Sequence, residues 1–287
     1  MTDRKKPAEP GAGTPKDRHY ARLRRAHRGD KAAAAPGLRQ RPKLPPGESA
    51  SEGLVRLYGL HTVRAALDNP SRRIRRMLVT RNAAERLGLA DLAALPFAAE
   101  LAEPRDIDRL TGSEAVHQGV LIEAEPLAPK RLEALGETPL VLVLDQVTDP
   151  HNVGAVLRSA VAFGAGALIT TARHSPAESG VLAKAASGAL EHIDHIEVRN
   201  LAEALAALHA AGYQTIGLDS DGPAQLEKTF SGEKVALVLG AEGRGLRQKT
   251  RETVTALARL DMPGAIRSLN VSNAAAVALY AARRFLG

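Results

Sequence analysis

Three short segments concentrate the residue types that can do chemistry. The first runs Asp145-Gln146-Val147-Thr148-Asp149-Pro150-His151-Asn152-Val153-Gly154-Ala155-Val156-Leu157-Arg158. Asp149-Pro150 turns the chain, and Asn152 stands where it can cap the next helix. On that helix Val153, Val156, Leu157, Ala160 and Val161 form the apolar stripe, while Arg158 shares another face with Gly154, Ala155 and Ala162. Such small neighbours admit a second backbone or a ligand. The second segment is Gly240-Ala241-Glu242-Gly243-Arg244-Gly245-Leu246. Its glycines allow positive φ or close approach of a ligand to the backbone. It lacks the Gly-Lys-Ser/Thr ending of a phosphate-cradling P-loop. The third, Asp261 to Val277, leads through Pro263-Gly264 and Arg267-Ser268-Leu269-Asn270 into a helix whose start is rich in Ser and Asn, groups that satisfy free helical N–H donors. On spacing alone, Asn152 and the Ser/Asn cluster read equally well as plain helix caps. Arg158 reads as a surface ion pair, and Glu242 as an exposed turn residue.

Each segment follows a run that reads as a strand. Apolar runs recur at Leu140–Leu144, Ala167–Thr170, Thr215–Leu218, Val235–Leu239 and Thr255–Leu260. Helical stretches lie between them. Ser175-Pro176-Ala177-Glu178 has the form of a capping box with proline at the first helical position. Asn200-Leu201-Ala202-Glu203 opens another helix, which Gly212 should stop. Continuous apolar strands alternating with helices imply a parallel sheet covered on both faces, and ligands collect beyond the carboxyl ends of such strands. An α/β fold is therefore expected over residues 139–287. A smaller α/β domain is expected over 54–125, with a helix at Leu60–Leu67, a strand at Ile74–Thr80, a helix opened by Pro104 and a strand at Val120–Ala124. Prolines 126, 129 and 139 with Gly136 mark a linker at 126–138.

Composition narrows the classes. The 287 residues include no cysteine, which excludes a disulfide-built domain and a Cys-ligated zinc module. No His/Cys/carboxylate cluster has metal-ligand spacing, and His192 and His195 read as surface residues. No apolar run reaches the ~18–20 residues that span a bilayer. Arg4, Lys5 and Lys6 are followed by no apolar signal core, so a cytoplasmic location is expected. The net charge of +7 is carried entirely by residues 1–52, which hold 13 basic and 6 acidic groups; the remaining 235 are balanced at 26 each. This tail also has 7 of the 17 prolines. It reads as disordered, with Arg22, Arg24, Arg25 and Arg28 suited either to a polyanion or to plain solubility.

Taken in order, the three segments resemble the signature motifs of the SpoU class of the SPOUT RNA methyltransferases. The block opening Tyr58-Gly59-Leu60-His61-Thr62-Val63-Arg64 is similar to the ribosomal-protein-L30e-like substrate-binding domain that precedes the catalytic domain in 23S rRNA ribose methyltransferases of this class. The resemblance implies a trefoil-knotted α/β domain working as a homodimer. It also implies S-adenosylmethionine as methyl donor, contacted at Gly240, Leu260 and Leu269, and a 2′-O-methylated ribose, of a 23S rRNA guanosine in first place, as product. Asn152, Arg158, Glu242, Ser268 and Asn270 fall on the family's polar site positions. Asp261 departs from the pattern, standing where the family usually has proline before Met262.

An activated donor leaves the enzyme two tasks, alignment and removal of the hydroxyl proton. A guanidinium stays protonated, so Arg158 is expected to bind the adjacent phosphate and polarise the hydroxyl, with Glu242 and Asn152 orienting it. Arg72, Arg73, Arg75, Arg76 and Arg81 form a basic patch expected to grip RNA phosphates. A tRNA substrate, or a non-catalytic RNA- or ribosome-binding protein on this scaffold, are the alternatives. A Rossmann oxidoreductase is excluded, because no Gly-x-Gly-x-x-Gly follows the first strand of the α/β block.

Overall fold

The computed structural model describes residues 53–287, which lie within one compact unit. The expected basic tail, 1–52, with its arginine cluster, lies outside the described residues.

The first block is a four-stranded sheet in the order β1-β4-β2-β3, made of β1 (Val55–Tyr58), β2 (Ile74–Val79), β3 (Ala98–Leu101) and β4 (Val120–Ala124). β4 runs antiparallel to β1 and β2, while β3 joins β2 in parallel. Helices α1 (Leu60–Asp68), α2 (Arg81–Leu87) and α3 (Pro104–Thr111) accompany it. Local chemistry sets their ends. Thr80 caps α2 and Gly88 closes it at φ +68°, while Pro104 stands at the first position of α3 between Glu103 and Asp106, which form a capping box.

The second block is a seven-stranded, wholly parallel sheet in the order β7-β6-β5-β10-β8-β11-β9. Its strands are β5 (Leu140–Asp145), β6 (Ala167–Thr171), β7 (Asp194–Val198), β8 (Gln214–Leu218), β9 (Ala224–Gln225), β10 (Val235–Gly240) and β11 (Ala256–Arg259). Helices α4 (Pro150–Ala162), α5 (Gly180–Ala186), α6 (Leu201–Ala210), α7 (Gln248–Thr253) and α8 (Val271–Leu286) cover it. The two-residue period of the strands splits one apolar run between two cores. Leu140, Leu142 and Leu144 face α4 and α8 through Val156, Leu157, Ala275 and Leu279. Val141 and Val143 face α6 through Leu201, Leu205 and Leu208. A strand buried on both faces must be apolar throughout, which is why these strands stand out in the sequence. The outer strands β7 and β9 escaped notice because β7 carries Asp194, His195 and Glu197 and β9 is two residues long.

The blocks are joined by more than the 126–138 segment. Helix α5 presents Ala183 to the core of the first block, and the Thr62 hydroxyl donates to the Ala183 carbonyl at 3.2 Å. At the same junction the Arg72 guanidinium is fully buried and pairs with Glu178 at 2.8 Å and Glu191 at 2.6 Å. It also donates to the Glu125 carbonyl, and Asn69 donates to Glu191. Arg72 is therefore no part of an RNA-facing patch. Its side chain is spent inside the protein, because a buried guanidinium requires carboxylates and a carbonyl around it. Arg73, Arg75 and Arg81 are exposed, and Arg76 partly so. Arg73 and Arg75 share Glu125, and Arg76 pairs with Glu100.

The ion pair also overrides a local signal. No helix opens at Ser175–Glu178; α5 starts at Gly180, and the cap is Ser179, which accepts from the Leu182 N–H at 3.3 Å. Glu178 is drawn to Arg72 and to the Leu127 N–H instead of closing a capping box. Burial pushes the Glu178 carboxyl above its usual range, against the pull of Arg72. His195 is not a free surface group either: its Nε2 lies 2.9 Å from the Thr170 hydroxyl, and burial pulls its pKa down.

Arg72→Met strands two buried carboxylates and is expected to cost about 3–5 kcal/mol in urea unfolding. Adding Glu178→Gln and Glu191→Gln should recover most of that loss. A single-variant loss below about 1 kcal/mol, the range of an exposed pair, would contradict the buried strut.

Candidate active site

The three segments rich in polar residues all emerge at the carboxyl edge of the large sheet. The first leaves β5 through Gln146, a non-glycine residue at φ +64°, and enters α4. The cap of α4 is Asp149, not Asn152: its carboxylate accepts from the His151 and Asn152 N–H groups, with Pro150 at the first helical position. Asn152 thus sits inside the first turn, with its side chain free for work elsewhere. The second segment folds back on the end of β10. Gly245 N–H donates to the Ala241 carbonyl at 2.8 Å, and a Cβ on Gly240 would collide with the main chain of Gly245 and Leu246. Only glycine fits there. The third segment ends at Asn270, which caps α8 by accepting from the Ser272 N–H at 2.8 Å and its hydroxyl at 2.6 Å.

One carboxylate oxygen ties all three together. Glu242 Oε1 accepts from Asn152 Nδ2 at 3.1 Å, from Asn270 Nδ2 at 2.7 Å and from the Val271 N–H at 3.3 Å. Asn270 Nδ2 also donates to Asn152 Oδ1 at 3.0 Å. Each amide is oriented by the other, since Asn270 Oδ1 already faces the two Ser272 donors. The anion lies at the N-terminus of a 16-residue helix, where free N–H groups and the dipole favour negative charge. The exposed-turn reading of Glu242 holds for its exposure, but its Oε1 is engaged by three donors.

Arg158 lies on the exposed side of α4, and its guanidinium has no partner among the described residues. The expected surface ion pair does not form. Gly154, one turn earlier, lets α5 cross closely, because a Cβ there would enter Ala185 and the main chain of Leu182 and Ala186. The helix that carries Arg158 is thereby held against the helix that docks the first block.

Asp145 and Arg247 also belong to this edge, and sequence reasoning missed them. Asp145 is wholly buried at the end of β5, where it accepts from Arg247 N–H at 3.0 Å and Arg247 Nε at 2.6 Å. This pair locks the loop after β10 to the end of β5. The available signal was a carboxylate ending a five-residue apolar run. Ser268 is exposed and makes no side-chain hydrogen bond among the described residues; Leu260 is half-buried and Leu269 exposed. Asp261 accepts from Gln225 Nε2 at 3.0 Å, which fixes the loop start where proline was expected. No main-chain N–H from Met262 to Leu269 donates to another described residue. With the glycine turn at 240–245, this leaves backbone donors and acceptors beside the half-buried Leu260 and Met262, a donor set that fits a nucleoside-bearing methyl donor held by main-chain groups. No group of three His/Cys/Asp/Glu side chains that could hold a metal occurs among the described residues. No helix among them is long and apolar enough to cross a membrane.

The fold is a parallel α/β sheet with its polar segments gathered at one edge, and comparison with known proteins gives its class, an RNA methyltransferase. The SpoU rRNA Methylase family matches residues 139–280, and the family described as RNA 2'-O ribose methyltransferase substrate binding matches 56–130. The 23S rRNA (guanosine-2'-O-)-methyltransferase RlmB of Ralstonia nicotianae is 40% identical over 79% of this chain and 94% of its own length. The protein of the same name from Pseudomonas putida is 36% identical over 80% and 96%. The AdoMet-bound rRNA methyltransferase from Sinorhizobium meliloti superposes with a TM-score of 0.68 at 25% identity, covering 82% of this chain and 88% of that one. AviRb of Streptomyces viridochromogenes shares the fold, with a TM-score of 0.69 at 23% identity over 81% and 90%. The chain belongs to the SpoU rRNA methylase family.

Glu242→Ala removes three accepted hydrogen bonds at an exposed position. It is expected to cost about 1 kcal/mol and to abolish hydrogen-exchange protection of the Val271 amide while the Leu279 amide stays protected. Retained protection at Val271 would show that Glu242 does not hold the start of α8.

Proposed function

We propose that this protein is an S-adenosylmethionine-dependent RNA methyltransferase that modifies the ribose 2′-hydroxyl of a guanosine in 23S rRNA. The observation that carries this reading is the Asn152–Glu242–Asn270 hydrogen-bond cluster at the start of the helix that also carries an unpaired Arg158. Asn152, Arg158, Glu242 and Asn270 together speak against a chain kept only for binding, which has no need of all four. The names of relatives 36–40% identical over most of their length support the substrate.

S-adenosylmethionine supplies a methyl group already activated on a sulfonium. Gly240, Leu260 and Leu269 would contact it through the backbone groups and apolar faces of the second and third loops. Arg158 would bind the phosphate next to the reacting ribose and polarise the 2′-hydroxyl, so that phosphate or water takes the proton. A guanidinium cannot itself be the base at neutral pH. Asn152 and Glu242 would hold the start of α4 in register with the loops, and Ser268 with Asn270 would shape the third loop.

We further take residues 54–125 as an L30e-like substrate-binding domain, 126–138 as the linker and 139–287 as the catalytic domain. Arg73, Arg75, Arg76 and Arg81 are its proposed phosphate contacts. The C-terminal segment is proposed to form the trefoil knot of the family: β10 is inserted between β5 and β8, and α8 returns to pack on α4. A homodimer is supported by Val277 and Tyr280, exposed on one stripe of α8. A cytoplasmic location follows from the proposed substrate.

Arg158→Ala is expected to lower methyl transfer to an unmodified 23S rRNA transcript at least 100-fold while donor affinity stays within two-fold. Labelled methyl mapped to a guanosine 2′-oxygen would support the reading. Normal transfer by Arg158→Ala would remove this residue from the chemistry.

A further inference from the structure

Beyond the cluster just described, the same edge of the sheet carries a second polar site. A cavity of about 640 Å³ is lined by Thr171, Ala172, Arg173, His174, Arg199 and Arg247. Its lining holds three guanidinium groups and an imidazole and no carboxylate. Arg247 is neutralised by Asp145 from below. Arg173 and Arg199 are exposed and have no ion-pair or hydrogen-bond partner among the described residues. Two unpaired guanidinium groups facing one cavity repel each other unless an anion lies between them.

A second observation points the same way. Thr171 is 96% buried, and its hydroxyl is the one buried side-chain polar atom among the described residues that lacks a hydrogen-bond partner. An orphaned buried hydroxyl is costly and calls for a partner that the chain does not supply. A phosphate oxygen supplies an acceptor for both the hydroxyl and the arginine forks.

The place of the cavity says which phosphate. Arg173 follows the end of β6 and Arg199 follows the end of β7, while Arg158 stands on the helix after β5, and Gly240 ends β10. In the sheet these strands lie side by side in the order β7-β6-β5-β10. Neighbouring strands are about 4.8 Å apart, so the carboxyl edge presents in sequence the cavity, then the start of the helix on which Arg158 is the ninth residue, then the glycine loop, within roughly 15 Å. We propose that Thr171, Arg173, Arg199 and Arg247 form a binding site for a backbone phosphate of the RNA strand, flanking the nucleotide presented to Arg158. It holds the strand on the side of β5 away from the donor loops. This rests on the reading of the protein as an RNA methyltransferase, and it adds a contact outside the three motifs and outside the basic face of the first block.

The test uses the full-length protein and an unmodified 23S rRNA transcript. Affinity is measured against salt for wild type, Arg173→Ala/Arg199→Ala, Thr171→Val, and Lys228→Ala on the short helix next to β9. Loss of one phosphate contact is expected to weaken RNA binding by the double variant about ten-fold and flatten its log–log salt slope by about 0.7. Thr171→Val should weaken binding without changing the slope, and Lys228→Ala should change neither. S-adenosylmethionine affinity should be the same in all four. An unchanged slope in the double variant, or an equal change in Lys228→Ala, overturns the site. So does a fall in S-adenosylmethionine affinity, which would give the cavity to the donor's carboxylate. Calorimetry with inorganic phosphate separates a free anion from a strand: wild-type binding lost in the double variant with RNA affinity unaltered also overturns it. Methyl transfer by wild type is read in parallel. No transfer to 23S rRNA with a flattened slope sinks the substrate reading alone; transfer with an unaltered slope sinks the phosphate site alone.

Discussion

Glu242 Oε1 is the point on which the site depends. It accepts from a side chain on α4, from the cap of α8 and from the first N–H of α8, and it belongs to the loop after β10. Three stretches separated by 90 and 28 residues meet on one oxygen. A neutral acceptor would hold them less firmly, because charge-assisted bonds are roughly twice as strong and the helix N-terminus adds its own attraction. Asp145 and Arg247 serve the same loop from inside the sheet. One exposed carboxylate and one buried carboxylate thus clamp the glycine turn from two sides.

Around that point the protein keeps its reactive edge open by burying charge elsewhere. Arg72 is enclosed with Glu178 and Glu191 where the two blocks meet. The helix they help seat, α5, crosses α4 at Gly154, so the helix bearing Asn152 and Arg158 is linked through close packing to the block proposed to grip RNA. Small residues at the crossings, Gly154 and Ala183, transmit position because backbones in contact have no slack to absorb a shift. The exposed guanidinium groups of Arg173 and Arg199 are left unpaired at the carboxyl edge, and that of Arg158 on the helix that starts from it; this side is where the chain meets polyanions in the reading developed here.

Much of this was legible in the residues themselves. Strands β5, β6, β8, β10 and β11 were readable within a residue or two; β5 and β10, buried on both faces, are apolar up to their last residue, and the others keep an apolar run beside a few polar positions. Asn200 and Asn270 cap their helices as their spacing indicated. Strands with a polar face, β1 and β7, were not visible as apolar runs. Two local signals misled. Asp149 rather than Asn152 caps α4, since proline at the first helical position fixes the cap one residue before it. The Ser175–Glu178 box yields to a buried arginine that lies over 100 residues away in the chain.

The sequence alone determined which segments carry polar chemistry, the parallel character of the large sheet and the family it resembles, because these follow from local residue type and short-range periodicity. The tertiary structure decided what each charged group does. It placed Arg72 in the interior and Arg158 on the surface without a partner, and brought Arg173, Arg199 and Arg247 to one cavity. The physical reason is that a side chain's electrostatic role depends on burial and on partners distant in the chain. Neither is written in the neighbouring residues.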